Sequence, residues 1–124
     1  MNGQPYLHFD APTISISDWA AFLLAVPGLG MPSIHVVGTN LLTRRSRVSS
    51  PVTLVHPSKL QVVTQSRRIY ELVGARGPRA RSLLALERLT ATWNADVVGD
   101  ITNWLFEEGN ISTAGLAGRP RFFQ

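Results

Sequence analysis

The stretch RSLLALERLTATW, residues 81–93, decides the fold, because it supports two incompatible readings. Leu83, Ala85, Leu89, Ala91 and Trp93 alternate as one face of a strand does, whereas leucine, alanine, glutamate and arginine taken singly favour helix. Pattern and propensity disagree, and these residues alone leave the segment open between strand and helix.

Downstream, Asn94 has the chemistry of a helix N-cap and Asp96 suits the positive end of a helix. Val97, Ile101, Trp104 and Leu105 recur at helical spacing before Gly109 and Asn110, so the sequence predicts a helix from residue 94 to about 108. A second helical turn is expected over residues 111–117. Upstream, residues 74–80 mix Gly74, Gly77 and Pro78 with Arg76 and Arg79, the composition of an exposed loop. Before it, residues 34–39, 48–56 and 60–73 are rich in Val, Ile and Thr and read as strands, with Pro57, Ser58 and Lys59 as a turn. At the start, residues 6–9 and 13–17 read as the arms of a β-hairpin around Pro12. The apolar run at 18–24 fits either a short helix capped by Ser17 or Asp18, or a buried strand.

Charge is sorted along the 124 residues: nine of the twelve basic side chains lie between Arg44 and Arg81, in company with the single acid Glu71, and five of the eight acids lie from Glu87 onward. The net charge of +4 and the pI near 10.7 come from eleven arginines against one lysine. Guanidinium groups grip phosphate through two hydrogen bonds at once and stack on bases, so nucleic acid is the expected partner. Without cysteine there is neither a disulfide framework nor a thiolate metal site. The longest apolar run, residues 19–26, is far short of the roughly 20 residues a membrane helix needs, and no basic start of a secretion signal is present. Neither a membrane nor a small-molecule substrate is expected. His8, His35 and His56 stand apart from any acid at ligand spacing, and no phosphate loop or nucleophile elbow occurs, so neither an enzyme nor a cofactor is expected.

The order of hairpin, sheet strands, flexible loop, one more strand and a helical pair resembles the coat proteins of single-stranded RNA bacteriophages. Locally, residues 81–87 look like that family's last strand, residues 94–96 like its strand-to-helix corner, and residues 105–110 like the end of its first helix. The resemblance implies an α+β fold: an N-terminal hairpin, an antiparallel sheet of about five strands and two C-terminal α-helices, in a single domain over residues 1–124. It makes residues 81–93 a strand. It further implies an intertwined homodimer, many of which close into an icosahedral shell around RNA, a virion component assembled in the host cytoplasm. Trp104, Leu105 and Phe106 are then candidate dimer contacts, and Gly74, Arg76, Gly77, Pro78 and Arg79 a loop at the shell's symmetry axes. RNA would lie on the inner sheet face. Alternation along residues 60–68 puts Gln61, Val63, Gln65 and Arg67 on one side and Leu60, Val62, Thr64 and Arg68 on the other; the first set, with Lys59, is the more polar. Arg44, Arg45 and Arg47 add phosphate contacts from the preceding connection. On the last strand, Leu83 and Ala85 stand where operator-binding coats often carry an aromatic and a polar residue, and only Glu87 persists. Two other readings share the composition: a small basic RNA-binding or ribosome-associated protein, and an RNA-independent phage structural component.

Overall fold

The Ile–Ser alternation at the start and the apolar run after it belong to one strand, β1 (Thr13–Ala25). The structure, a computed structural model, describes residues 13–106. Within β1, Ile14 and Ile16 point to one core and Ser15 and Ser17 away from it. At Asp18 the backbone enters the left-handed region (φ 48°) and the register slips, a β-bulge that shifts the alternation by one residue. Trp19, Ala21 and Leu23 thereby rejoin the same core, while Ala20, Phe22 and Leu24 face a second one. Residues 18–24 are therefore a strand buried on both faces, which is why their apolar run shows no period.

The chain continues through β2 (Ser33–Asn40), β3 (Ser46–Val48), β4 (Val52–His56), β5 (Gln61–Thr64), β6 (Ile69–Arg76), α1 (Ala80–Trp93) and β7 (Asp96–Asp100). The seven strands form one mixed sheet in the order β3-β2-β1-β6-β5-β4, with β7 added to β1. β1 runs parallel to β6 from Thr13↔Ile69 to Trp19↔Arg76, and its second half pairs antiparallel with β7. β3 and β4 end the path on opposite sides, yet they are consecutive in the chain and run in one direction. The Ser49 amide donates to the Val36 carbonyl (2.9 Å), carrying the pairing with β2 past the end of β3. The sheet thus rolls up on itself around Ile16, Val36, Val62, Tyr70 and Leu72.

This architecture corrects the expected α+β fold of about five antiparallel strands and two C-terminal helices. Residues 81–93 are helical, not a strand. Their intrinsic preference decides, because no neighbouring strand competes: α1 lies across the outer face of β2 and β3, burying Ser82, Leu86 and Thr90 at a four-residue spacing. The apparent alternation arose from side chains that leave the protein, such as Leu83, exposed to 43%. Asn94 ends this helix instead of beginning another. It takes the left-handed conformation (φ 56°) and its amide donates to the carbonyls of Thr90 and Ala91. Released from the helix, the β-branched pair Val97–Val98 extends as β7, and residues 101–106 make one turn in which the Leu105 amide donates to the Ile101 carbonyl (2.9 Å).

The stretch 60–73, expected as a single strand, is two, because Gln65, Ser66, Arg67 and Arg68 turn the chain between β5 and β6. Likewise 48–56 is split at Ser49–Pro51. Pro57–Lys59 form the expected turn, closed by Leu60 at φ 51°. Strand β6 extends through Arg76, so the loop expected at 74–80 contracts to residues 77–79. The first arm of the expected N-terminal hairpin (6–9) and the helical turn at 111–117 lie outside the described residues.

A candidate polyanion-binding surface

The meander places both the β2–β3 and β5–β6 turns at the end of the sheet where β1 begins. The β2–β3 turn is tightly built. Asn40 accepts hydrogen bonds at Oδ1 from the amides of Leu42 (2.9 Å) and Thr43 (3.3 Å), and its own amide donates to the Arg45 carbonyl (2.8 Å). Arg44 takes the left-handed conformation (φ 66°) that such a turn requires, and its amide donates to the Asn40 carbonyl (2.7 Å). Both Arg44 and Arg45 are exposed on it. Arg47, on β3, reaches across the core side of the sheet. Its Nε donates to the Tyr70 hydroxyl (3.1 Å), with the guanidinium 6.0 Å from that ring's centre.

The β5–β6 turn brings Arg67 (φ 69°) and the half-buried Arg68 to this end. It is fastened to the β3–β4 connection: the Gln65 amide donates to the Pro51 carbonyl (2.7 Å), and the Ser50 hydroxyl donates to that of Ser66 (3.0 Å). No acid occurs between Asp18 and Glu71 in the sequence, so these arginines have no carboxylate within their own turns.

The remaining candidates disperse. Lys59 and Gln61 sit at the opposite end of the sheet, in and after the β4–β5 turn, and Gln61 pairs with Glu71 across β5 and β6. Gln65 stays with the arginine turns. Glu87 is exposed midway along α1. Arg76 stacks over Trp19 (5.6 Å) and donates to Asn103 Oδ1 (2.7 Å), and Arg79 pairs with Asp18 (3.1 Å), so both arginines of the expected symmetry-axis loop brace the bulge and the start of α1. Gly74 (φ 74°) and Gly77 (φ 119°) supply left-handed backbone around them, and Pro78 precedes the helix. The expected dimer contacts pack on this chain's own core: Leu105 is wholly buried, Trp104 lies against the same cluster, and Phe106 meets Trp19 edge-on at 5.8 Å.

Arg68 escaped the sequence reading because alternation had set it on the face opposite Arg67, and alternation loses meaning in a turn. The run Gln65–Ser66–Arg67–Arg68, without one β-branched or aromatic residue, was the available signal. Trp93 was also missed. Its ring lies 5.7 Å from that of His35, whose Nδ1–H donates to the Ser49 carbonyl (2.7 Å) and whose Nε2 therefore accepts from the Ser33 hydroxyl (2.7 Å). Burial lowers the basicity of this imidazole, and the Ser49 carbonyl opposes that shift in part.

Among the described residues no group of His, Asp or Glu is arranged to hold a metal ion, and no helix is long and apolar enough to cross a membrane. No protein family, curated protein or solved structure matches the chain.

Proposed function

We propose that this protein binds single-stranded RNA through the arginine-bearing turns at one end of its rolled sheet. The observation that carries the reading is that the turn bearing Arg44 and Arg45 and the turn bearing Arg67 and Arg68, neither of which holds an acid, lie at the same end of the sheet. Arginine on a braced turn suits phosphate, because less side-chain and loop freedom is lost when contact forms. The reading belongs with the small basic RNA-binding class. The resemblance to shell-forming coats implied helices packed over a partner subunit, whereas residues 94–106 form a strand and a turn against this chain's own β1; the RNA-binding surface proposed here requires no shell.

Binding of a fluorescein-labelled 12-nucleotide uridine RNA, followed by anisotropy between 50 and 200 mM salt, tests the proposal. Each phosphate neutralised steepens the slope of log affinity against log salt by about 0.7. Replacing Arg44, Arg45 and Arg67 by Ala is expected to weaken binding and flatten that slope by about 2. Binding that ignores salt, or is unchanged in the triple variant, rejects the surface. Megadalton particles containing RNA on size-exclusion chromatography would return the shell reading to first place.

A further inference from the structure

An open cavity of about 250 Å³ lies between the C-terminal end of α1, the β1–β2 connection and the β3–β4 corner, lined among others by Leu29, Ser33, His35, Pro51, Gln65 and Trp93. Its chemistry is two-sided. Leu29, Pro51 and the indole of Trp93 make apolar walls; Leu29 is 54% exposed and Trp93 36%, large apolar surfaces left in water. The Gln65 amide can both donate and accept, and the Ser33 hydroxyl, while donating to His35, keeps acceptor capacity. His35 supplies the floor. Both of its ring nitrogens are engaged, so it neither ligates a metal nor takes up a substrate proton, and its ring lies tilted by 51° against that of Trp93 at 5.7 Å.

The ligand that matches is a flat, uncharged heterocycle with donors and acceptors along its edge. The volume is below the roughly 300–1,000 Å³ typical of pockets for drug-sized molecules, which suits a single ring system. Gln65 also belongs to the turn that carries Arg67 and Arg68, so a ligand seated here has cationic side chains within a few residues of its polar edge. A heterocycle tethered to phosphate is a nucleotide. We infer that this cavity takes one base of a bound single-stranded RNA, stacked on Trp93 and met at its edge by Gln65 and Ser33. The inference rests on the RNA-binding reading and adds to it a base contact that charge alone does not provide.

Stacking on an aromatic side chain tolerates any base and is lost on truncation. The Trp93→Ala variant is therefore expected to bind the labelled 12-nucleotide RNA about 5- to 150-fold more weakly with the salt slope unchanged, and Trp93→Phe to fall between it and the parent. Gln65→Ala, a change at an exposed turn, is expected to weaken binding several-fold without altering thermal unfolding, which guards against a Trp93→Ala variant that merely folds poorly. In a separate titration, adenosine 5′-monophosphate should shift the Trp93 indole N–H resonance, and ribose 5-phosphate should not. RNA affinity unchanged in all three variants overturns the base site while leaving the arginine surface standing, and so does an equal response to the two titrants. A Trp93 shift with the nucleotide but no salt-dependent RNA binding supports a base pocket and overturns the polyanion reading instead.

Discussion

His35 is the residue whose chemistry is most tightly set by its surroundings. With 1% of its surface exposed and both nitrogens committed, it is held neutral, and its folded pKa lies below that of the unfolded chain. The sign follows directly. Below about pH 6.5 the unfolded chain takes up a proton that the folded one refuses, so stability falls with falling pH, by up to about 1.4 kcal/mol per pH unit, until the folded imidazole also titrates. Urea unfolding at pH 7.5 and 5.5 should show this loss, and a His35→Gln variant should show less of it. An equal loss in parent and variant would place the sensitivity elsewhere. Nothing in the sequence distinguished this histidine, since a histidine in a β-prone run is equally at home in solvent, and two of its partners, Ser49 and Trp93, come from other segments. Arg44 and Arg45 were legible by contrast, because an arginine pair between two β-prone runs is exposed in almost any fold.

Single elements were read well where local chemistry acted alone and badly where a distant partner chose. Strand β2 and the Pro57–Lys59 turn follow from their own residues. α1 was left open by its residues and misdirected by resemblance, although its propensities pointed the right way. The helix expected from Asn94 failed because Asn serves left-handed helix ends as readily as N-caps, and the segment of Val97 and Val98 gained a strand partner in β1 that lies 73 residues earlier (Leu24↔Val97). The bulge at Asp18 also depends on a partner. Opposite it, Gly38 brings its backbone so close that an added Cβ would stand 2.8 Å from the Ser17 carbonyl oxygen and 3.3 Å from the Trp19 Cα. Both atoms are main chain, so they yield only if β1 moves. Gly38→Ala is expected to destabilise the protein by about 1–3 kcal/mol, read from the urea midpoint. No change would mean that the bulge shifts freely.

At the scale of the whole molecule, closure is achieved by residues near both limits of the described chain. Leu105, wholly buried, joins Ile101 in the core that β1, β2, β4, β5 and β6 enclose. Truncating it to Ala leaves a hole there and is expected to cost about 2–5 kcal/mol of folding stability. An unfolding midpoint that is independent of protein concentration would assign this loss to the chain's own interior; a midpoint rising with concentration would return Leu105 to an intersubunit role. The rolled topology itself was beyond sequence reading. It depends on one parallel pairing, β1 with β6, and local periodicity carries no trace of direction. That same pairing sets the order of events during synthesis. Ser15 meets Glu71, 56 positions later, and the other half of β1 waits for residues 96–100. Among the described strands, the first to be synthesised is thus the last to have its neighbours complete, and loop-closure entropy must be overcome before those pairings stabilise anything. Acquisition of the native state belongs in the slow, millisecond-to-second class of β-rich proteins, and during that interval the apolar run after Asp18 stays open to wrong neighbours.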